Sequence, residues 1–255
     1  MDDNAIHLNV NQWYAWSPGI ESSDDWEAWA RKQRMPLESG VPELPFVKPM
    51  LRRRLSQLSK MAVKVAFECL SKEGQQVVAD RTVFCSRHGE LTRTVGLLES
   101  LSLDEDLSPT GFSLSVHNAA SGLYSIANKD KSPSVSLAAG RDTLVEGLRE
   151  ASMLLNSDDA ETVLVVIAEE PLPEHLLPFA DEMQRSFALA LLLARGDNTG
   201  KRLSFSSFDS PVEVLTERAG LPEPQSLAVL NFLLSQETEC KIPGARSSWV
   251  WRQNA

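Results

Sequence analysis

The chain has 255 residues, 42% of them apolar and 24% charged, with a formal net charge of -10. That length allows one large domain or two small ones around a substantial core, and the composition is that of an ordinary globular protein. The acidic balance excludes a nucleic-acid binder with a basic face, and three scattered cysteines (Cys69, Cys85, Cys240) exclude a disulfide framework or a zinc knuckle. A reducing compartment is the simpler reading of those cysteines. No apolar run approaches the eighteen or so residues of a membrane span, and "MDDNAIHLNV" lacks the basic-then-apolar layout of a leader, so the cytoplasm is the expected address.

Residues 1–46 read as an irregular, aromatic-rich lead-in. "NQWYAWSPG" and "DDWEAWARKQ" place four of the six tryptophans there, Trp26 and Trp29 at helical spacing behind Asp24 and Asp25. The tryptophans are expected to anchor the termini by burying ring area. "MPLESGVPELPFVKP" is a proline-rich connector. From Pro49, apolar residues recur at three- and four-residue steps to Leu70, predicting one long helix over 47–70. Its Arg52, Arg53 and Arg54 read first as a solvated face. "RTVFCS" predicts a short buried strand, "GELTRTVGLLESL" a helix, "DEDLSP" a loop, "FSLSV" a short apolar piece, and "HNAASGLYSIANK" a small-residue helix.

"SPSVSLAAGRDTLVEGLREA" (132–151) alternates polar and apolar residues and then turns at once into a helix through Leu155. "ETVLVVIAEE" and "RSFALALLLARG" read as interior strands. Residues 196–255 read as C-terminal helices and a tail: "SPVEVLTERAG" and "EPQSLAVLNFLLSQE" as helices, "SSWVWRQ" as a terminal strand. Alternating strands and helices predict a layered α/β fold, taken over 1–255 as one domain.

The strand-to-helix elbow is where many enzymes mount a nucleophile, because the turn exposes the side chain at a helix N-terminus. Here it carries Ala138, Ala139 and Gly140. The order of "SVHNAASGLYSI" (Asn118 to Ile126), "LSP" (107–109), the elbow and "VLVVIAEE" resembles the β-ketoacyl synthases of the thiolase superfamily over roughly 45–195. "FCSRHGE" sits where those enzymes have a glycine-rich loop. The resemblance implies a thiolase-like layered fold, one half of its duplicated architecture. It also puts Ala139 where the family has its nucleophilic cysteine, and the histidines of the second half have no counterpart here.

Trp13-Ala15-Trp16-Pro18-Gly19 and Trp249-Trp251-Arg252 resemble the "W-x-A-W-x-P-G" and "W-x-W-R" ends of chain-length-factor-like proteins from bacterial aryl polyene clusters. What this implies is a silent subunit, paired with a full-length β-ketoacyl synthase in polyketide- or fatty-acid-like elongation. Acyl carrier protein is a partner indirectly, and no metal, cofactor, nucleic acid or membrane is implied. Such a subunit acts by shape: one methylene of tunnel depth is worth about 0.8 kcal/mol, and a clash costs more. By the resemblance, the wall comes from His88, Leu91, Thr94 and Val95, then Phe112, Leu114, His117 and Asn118, with Ser136 near the elbow.

General residue habits read differently at some of these positions. Asn118 and Gly122 are a helix cap and a close-packing point, and His117 is a hydrogen-bonded boundary histidine. Arg52 to Arg54 could also greet an acidic carrier protein. Two rival functions stay open: a small acyltransferase or hydrolase using Cys85 or Ser136, and a homodimeric acyl-binding protein.

Overall fold

A computed structural model describes residues 5–37, 39–72, 74–157, 160–196, 200–208, 220–245 and 247–254. Its first half holds β1 (Ile6–Trp16), α1 (Ser23–Ala30), α2 (Pro49–Arg52), α3 (Gln57–Cys69), a two-stranded ribbon of β2 (Ser71–Lys72) and β3 (Gln75–Gln76), β4 (Arg81–Cys85), α4 (Leu91–Ser102), α5 (Pro109–Ser113) and α6 (Ala119–Asn128). The second holds β5 (Ser134–Leu137), α7 (Thr143–Asn156), β6 (Thr162–Glu169), β7 (Phe187–Ala194), β8 (Lys201–Phe208), α8 (Gln225–Leu234), β9 (Glu239–Pro243) and β10 (Ser248–Gln253).

Eight strands make one mixed sheet in the order β5-β4-β6-β7-β1-β8-β10-β9. β5, β4 and β6 are parallel, because helices intervene between them and carry the chain back across the sheet. The remaining neighbours are antiparallel. The unbroken apolar run of β6 follows from burial on both faces. Val163, Val165 and Ile167 pack in one layer with α7, α8 and α1, while Leu164, Val166 and Ala168 pack in the other with α3 and α6.

Several expectations are corrected here. The lead-in over 1–46 is not irregular, since β1 lies inside the sheet between β7 and β8. Its bulge between Val10 and Gln12 breaks the simple alternation that would have announced a strand. The single helix over 47–70 is two: Ser56 adopts an extended backbone and its side chain accepts from the Ser59 N–H at 2.9 Å, which starts α3 afresh. Residues 196–255 are not mainly helical, since β8, β9 and β10 extend the sheet there. The helix expected over 210–220 lies outside the described residues apart from Gly220. α1 begins with a capping box between Ser22 and Asp25, and Trp26 donates its indole N–H to the Ala15 carbonyl at 2.9 Å. Trp16, Trp26 and Trp251 are fully buried, tying both ends of the described chain to the core.

Candidate functional site

The C-terminal ends of the parallel strands β5, β4 and β6 converge on the elbow. Ala138 is exposed and Ala139 half-buried, and Gly140 has φ +60°, a left-handed conformation that glycine tolerates. The helix does not begin at once, because Gly140–Asp142 first forms a tight 3-10 turn. The Ala139 N–H donates to the Thr143 hydroxyl oxygen at 3.0 Å, and that hydroxyl donates to the Gly140 carbonyl at 2.6 Å. The amide that a catalytic elbow would aim at a developing oxyanion is therefore occupied from within.

Asp142 ties the elbow to the far end of the sheet. Its carboxylate accepts from the Trp249 indole N–H at 2.9 Å, the Ala245 N–H at 3.0 Å and the Gln225 amide at 3.3 Å. Gly244 leaves no room for a Cβ against that carboxylate. Sequence reading missed Asp142, and its only local signal was an acid in the first turn of a helix.

Cys85 is buried beneath α7. A Cβ on Gly147 would sit 2.5 Å from its sulfur, and burial, with Glu169 adding to it, pushes the thiol far above the ordinary thiol range. Burial and a raised pKa both make a thiol a poor nucleophile, which argues against that role for Cys85. The loop after β4 and the loop after β6 are joined by charge. Arg87 grips Asp181 through two nitrogens at 2.7 and 3.0 Å and reaches Glu182 at 3.3 Å. Burial, with Arg87 beside it, pushes the His88 imidazole below its usual value.

Beneath this cluster Glu169 accepts the Arg87 N–H at 2.5 Å and the Ser86 hydroxyl at 3.3 Å, yet burial pushes it from 4.5 up to about 8. A carboxyl raised on folding binds its proton more tightly folded than unfolded, so stability falls as pH rises from about 4.5 to about 8. Thermal melts should decline across that window. Glu169→Gln should flatten the decline and recover on the order of 2 kcal/mol at pH 8.5.

The two segments nominated as a wall meet. His117 Nε2 lies 2.8 Å from the Ser86 carbonyl, and Gly89, at φ +57°, lets the imidazole close over it. Asn118 holds the position before α6 without a side-chain cap bond, and Gly122 has open space where a side chain would stand, so it is not a close-packing point. None of the twelve residues of α4 is buried. Leu91, Thr94, Val95 and Leu114 are half-buried, while Phe112 is 64% exposed. Ser136 lies on β5 facing the groove beside His117, on the opposite side from Leu137, which packs on the core. Among the described residues no cluster of His, Cys, Asp and Glu suits a metal.

Residues 26–252 match the β-ketoacyl synthase N-terminal domain family. The chain belongs to that family. It is similar at 32% identity, with a TM-score of 0.80 over 96% of this chain and 98% of the other, to a chain of the complex between the ketosynthase ApeO and its chain length factor ApeC from Xenorhabdus doucetiae. The ishigamide ketosynthase/chain length factor is similar in fold at 19% identity and TM-score 0.60, over 75% of this chain and 63% of that one. A β-ketoacyl synthase from Burkholderia phymatum is similar in fold at 14% identity and TM-score 0.60, over 81% and 66%. No curated protein sequence matches the chain. The mixed sheet between two helical layers is thus the thiolase-like fold of the ketosynthases, and no helix among the described residues is long and apolar enough to cross a membrane.

Proposed function

We propose that this protein is a non-catalytic, chain-length-factor-like subunit. It pairs with a full-length β-ketoacyl synthase in the cytoplasm, stabilises it, and shapes the acyl tunnel for aryl polyene elongation. The observation that carries this reading is the contrast between the two edges of the sheet. β9, at one edge, presents Glu239, Lys241 and Pro243, the charged and proline residues that blunt an edge against pairing. β5, at the other, is Ser-Val-Ser-Leu and carries no charge.

The Pro133 and Leu137 carbonyls of this strand accept from Thr82 and Ser86 of the β4 segment, so the intervening Ser134 and Ser136 turn their N–H and C=O groups to the open side. Leu98, Leu101, Phe112 and Val116, on and around α4 and α5, are exposed as well. An unprotected strand edge, on a chain that also exposes large apolar side chains, is an interface in want of a partner. The blank elbow and its internally occupied amide support the silent role. The partner's own groups would condense acyl units brought by acyl carrier protein, to which this subunit contributes only indirectly. The wall would then come from His88, Leu91, Thr94 and Val95 on one segment and Phe112, Leu114, His117 and Asn118 on the other, with Ser136 beside them.

Co-expression with a ketosynthase, followed by size-exclusion chromatography with mass determination, tests the reading. A one-to-one or two-to-two complex is expected, with this chain less stable alone than in the complex. A stable monomer or homodimer that ignores the ketosynthase would overturn it.

A further inference from the structure

The turn between α6 and β5 holds a buried charge that no positive group meets. Asp130 is only 5% exposed. Its Oδ1 accepts the Ser132 N–H at 2.8 Å, whereas its Oδ2 is buried and has no hydrogen-bond partner among the described residues. Burial, with the charge of Asp130 adding to it, pushes the Tyr124 hydroxyl far above its usual value, so the carboxylate lies close to that ring. Lys129 and Lys131 flank Asp130 in sequence, but both are exposed and neither pairs with it among the described residues. A carboxylate taken out of water is costly, and folded proteins either pair it or set it against a cation.

Asp130 does not stand alone. Ser132 Oγ and Asn128 Nδ2 are likewise buried without a partner. Three side chains at alternate positions of one short turn therefore each carry an unsatisfied polar atom. The segment reads "NKDKS", the one-three-five spacing of oxygen-bearing residues with which a loop wraps a hard cation. An amide side chain keeps its outline when turned over, so Asn128 can present its oxygen in place of its nitrogen. The backbone already has the required bend. Lys129 takes the left-handed conformation at φ 55°, the Asp130 N–H donates to the Ser125 carbonyl at 3.0 Å, and the Ser125 hydroxyl donates to the Asp130 carbonyl at 2.6 Å.

The donors also choose the ion. They are oxygens, with no thiolate or imidazole among them, which suits a hard cation rather than a transition metal. A calcium loop of this spacing adds further carboxylates and a glycine at its sixth position, where Pro133 stands here. One carboxylate balances one positive charge. We propose that the turn between α6 and β5 binds a monovalent alkali cation, sodium or potassium, through Asp130, Ser132 and Asn128. The ion would tie the end of α6 to the start of β5. This site is independent of the proposed function, and its test needs no partner.

Thermal melts of the whole chain in sodium, potassium or tetramethylammonium chloride, each at about 150 mM, test it. Tetramethylammonium carries the same charge but is too large to enter the turn. Sodium or potassium should raise the midpoint by about 3 °C or more above it, the shift for an ion at about ten times its dissociation constant. The larger of the two shifts identifies the ion held. Asp130→Asn, which keeps the shape and removes the charge, should reduce the difference to below about 1 °C. Ser132→Ala should do so in part, and it keeps the carboxylate should the first variant fold poorly. Wild-type melts that coincide in all three salts, or an alkali effect that both variants retain in full, would overturn the proposal. Anomalous scattering from crystals soaked in thallium(I), a potassium mimic, should show a peak beside Asp130 Oδ2. Thallium bound elsewhere and not at this turn would likewise overturn it.

Discussion

Ser136→Pro should sharply weaken association with the ketosynthase while leaving the chain's own melting temperature within a few degrees of wild type. The Ser136 N–H points to the open side of β5, so its loss breaks no bond to β4. Proline fixes φ near the value of an extended residue, and Val135 before it is already in a strand. What changes is the edge: one outward donor disappears and a ring occupies the space a partner strand needs. An interface built on strand pairing should weaken by roughly 100-fold or more, which corresponds to about 3 kcal/mol. Titration of the ketosynthase with the variant, read by size exclusion or calorimetry, measures this directly. Undiminished affinity would move the interface from β5 to the exposed face of α4.

Trp251→Ala should cost about 3–5 kcal/mol, a large share of the 5–15 kcal/mol that holds a typical domain together. Trp251 is wholly buried on β10, with its ring stacked on Phe205 of β8 at 4.8 Å between centroids. Phe205 also meets Trp249, whose indole N–H reaches Asp142 at the elbow. Losing the ring opens a cavity at the junction that carries the elbow's tether, so the effect should not stay local. The midpoint of thermal unfolding should fall on the order of 10 °C. Trp251→Phe, which retains most of the buried area, should recover more than half of that loss. A change of less than about 1 kcal/mol in the alanine variant would mean that this end of the sheet is dispensable.

Much of the central architecture was legible in residue order. β6 announced itself because a strand buried on both faces needs an unbroken apolar run, and Val163 to Ala168 supply one. The elbow was visible because Val135 and Leu137 alternate with Ser134 and Ser136 up to a glycine, and the absence of a nucleophile there is a plain reading of Ala138 and Ala139. α1 and α7 carried their helical spacing in view. β1 was hidden because its bulge shifts the register midway and because tryptophans read as anchors before they read as strand residues. β8 and β9 were hidden for another reason. Serines and lysines occupy their open positions, and only Leu203, Phe205 and Ile242 meet the core, too few to stand out along the chain.

What the sequence determined by itself was the alanines and glycine of the elbow and the order of the central elements β4, α4, α6, β5, α7, β6 and β7, since these are properties of neighbouring residues. Only the tertiary structure decided which edge is open, that His117 closes over Gly89, and that Asp142 binds Trp249 from 107 residues away. These depend on which segments the sheet brings side by side, and no local pattern of side chains encodes a contact made that far along the chain. The same limit applies to Cys85, whose burial comes from α7 laying Gly147 directly against it.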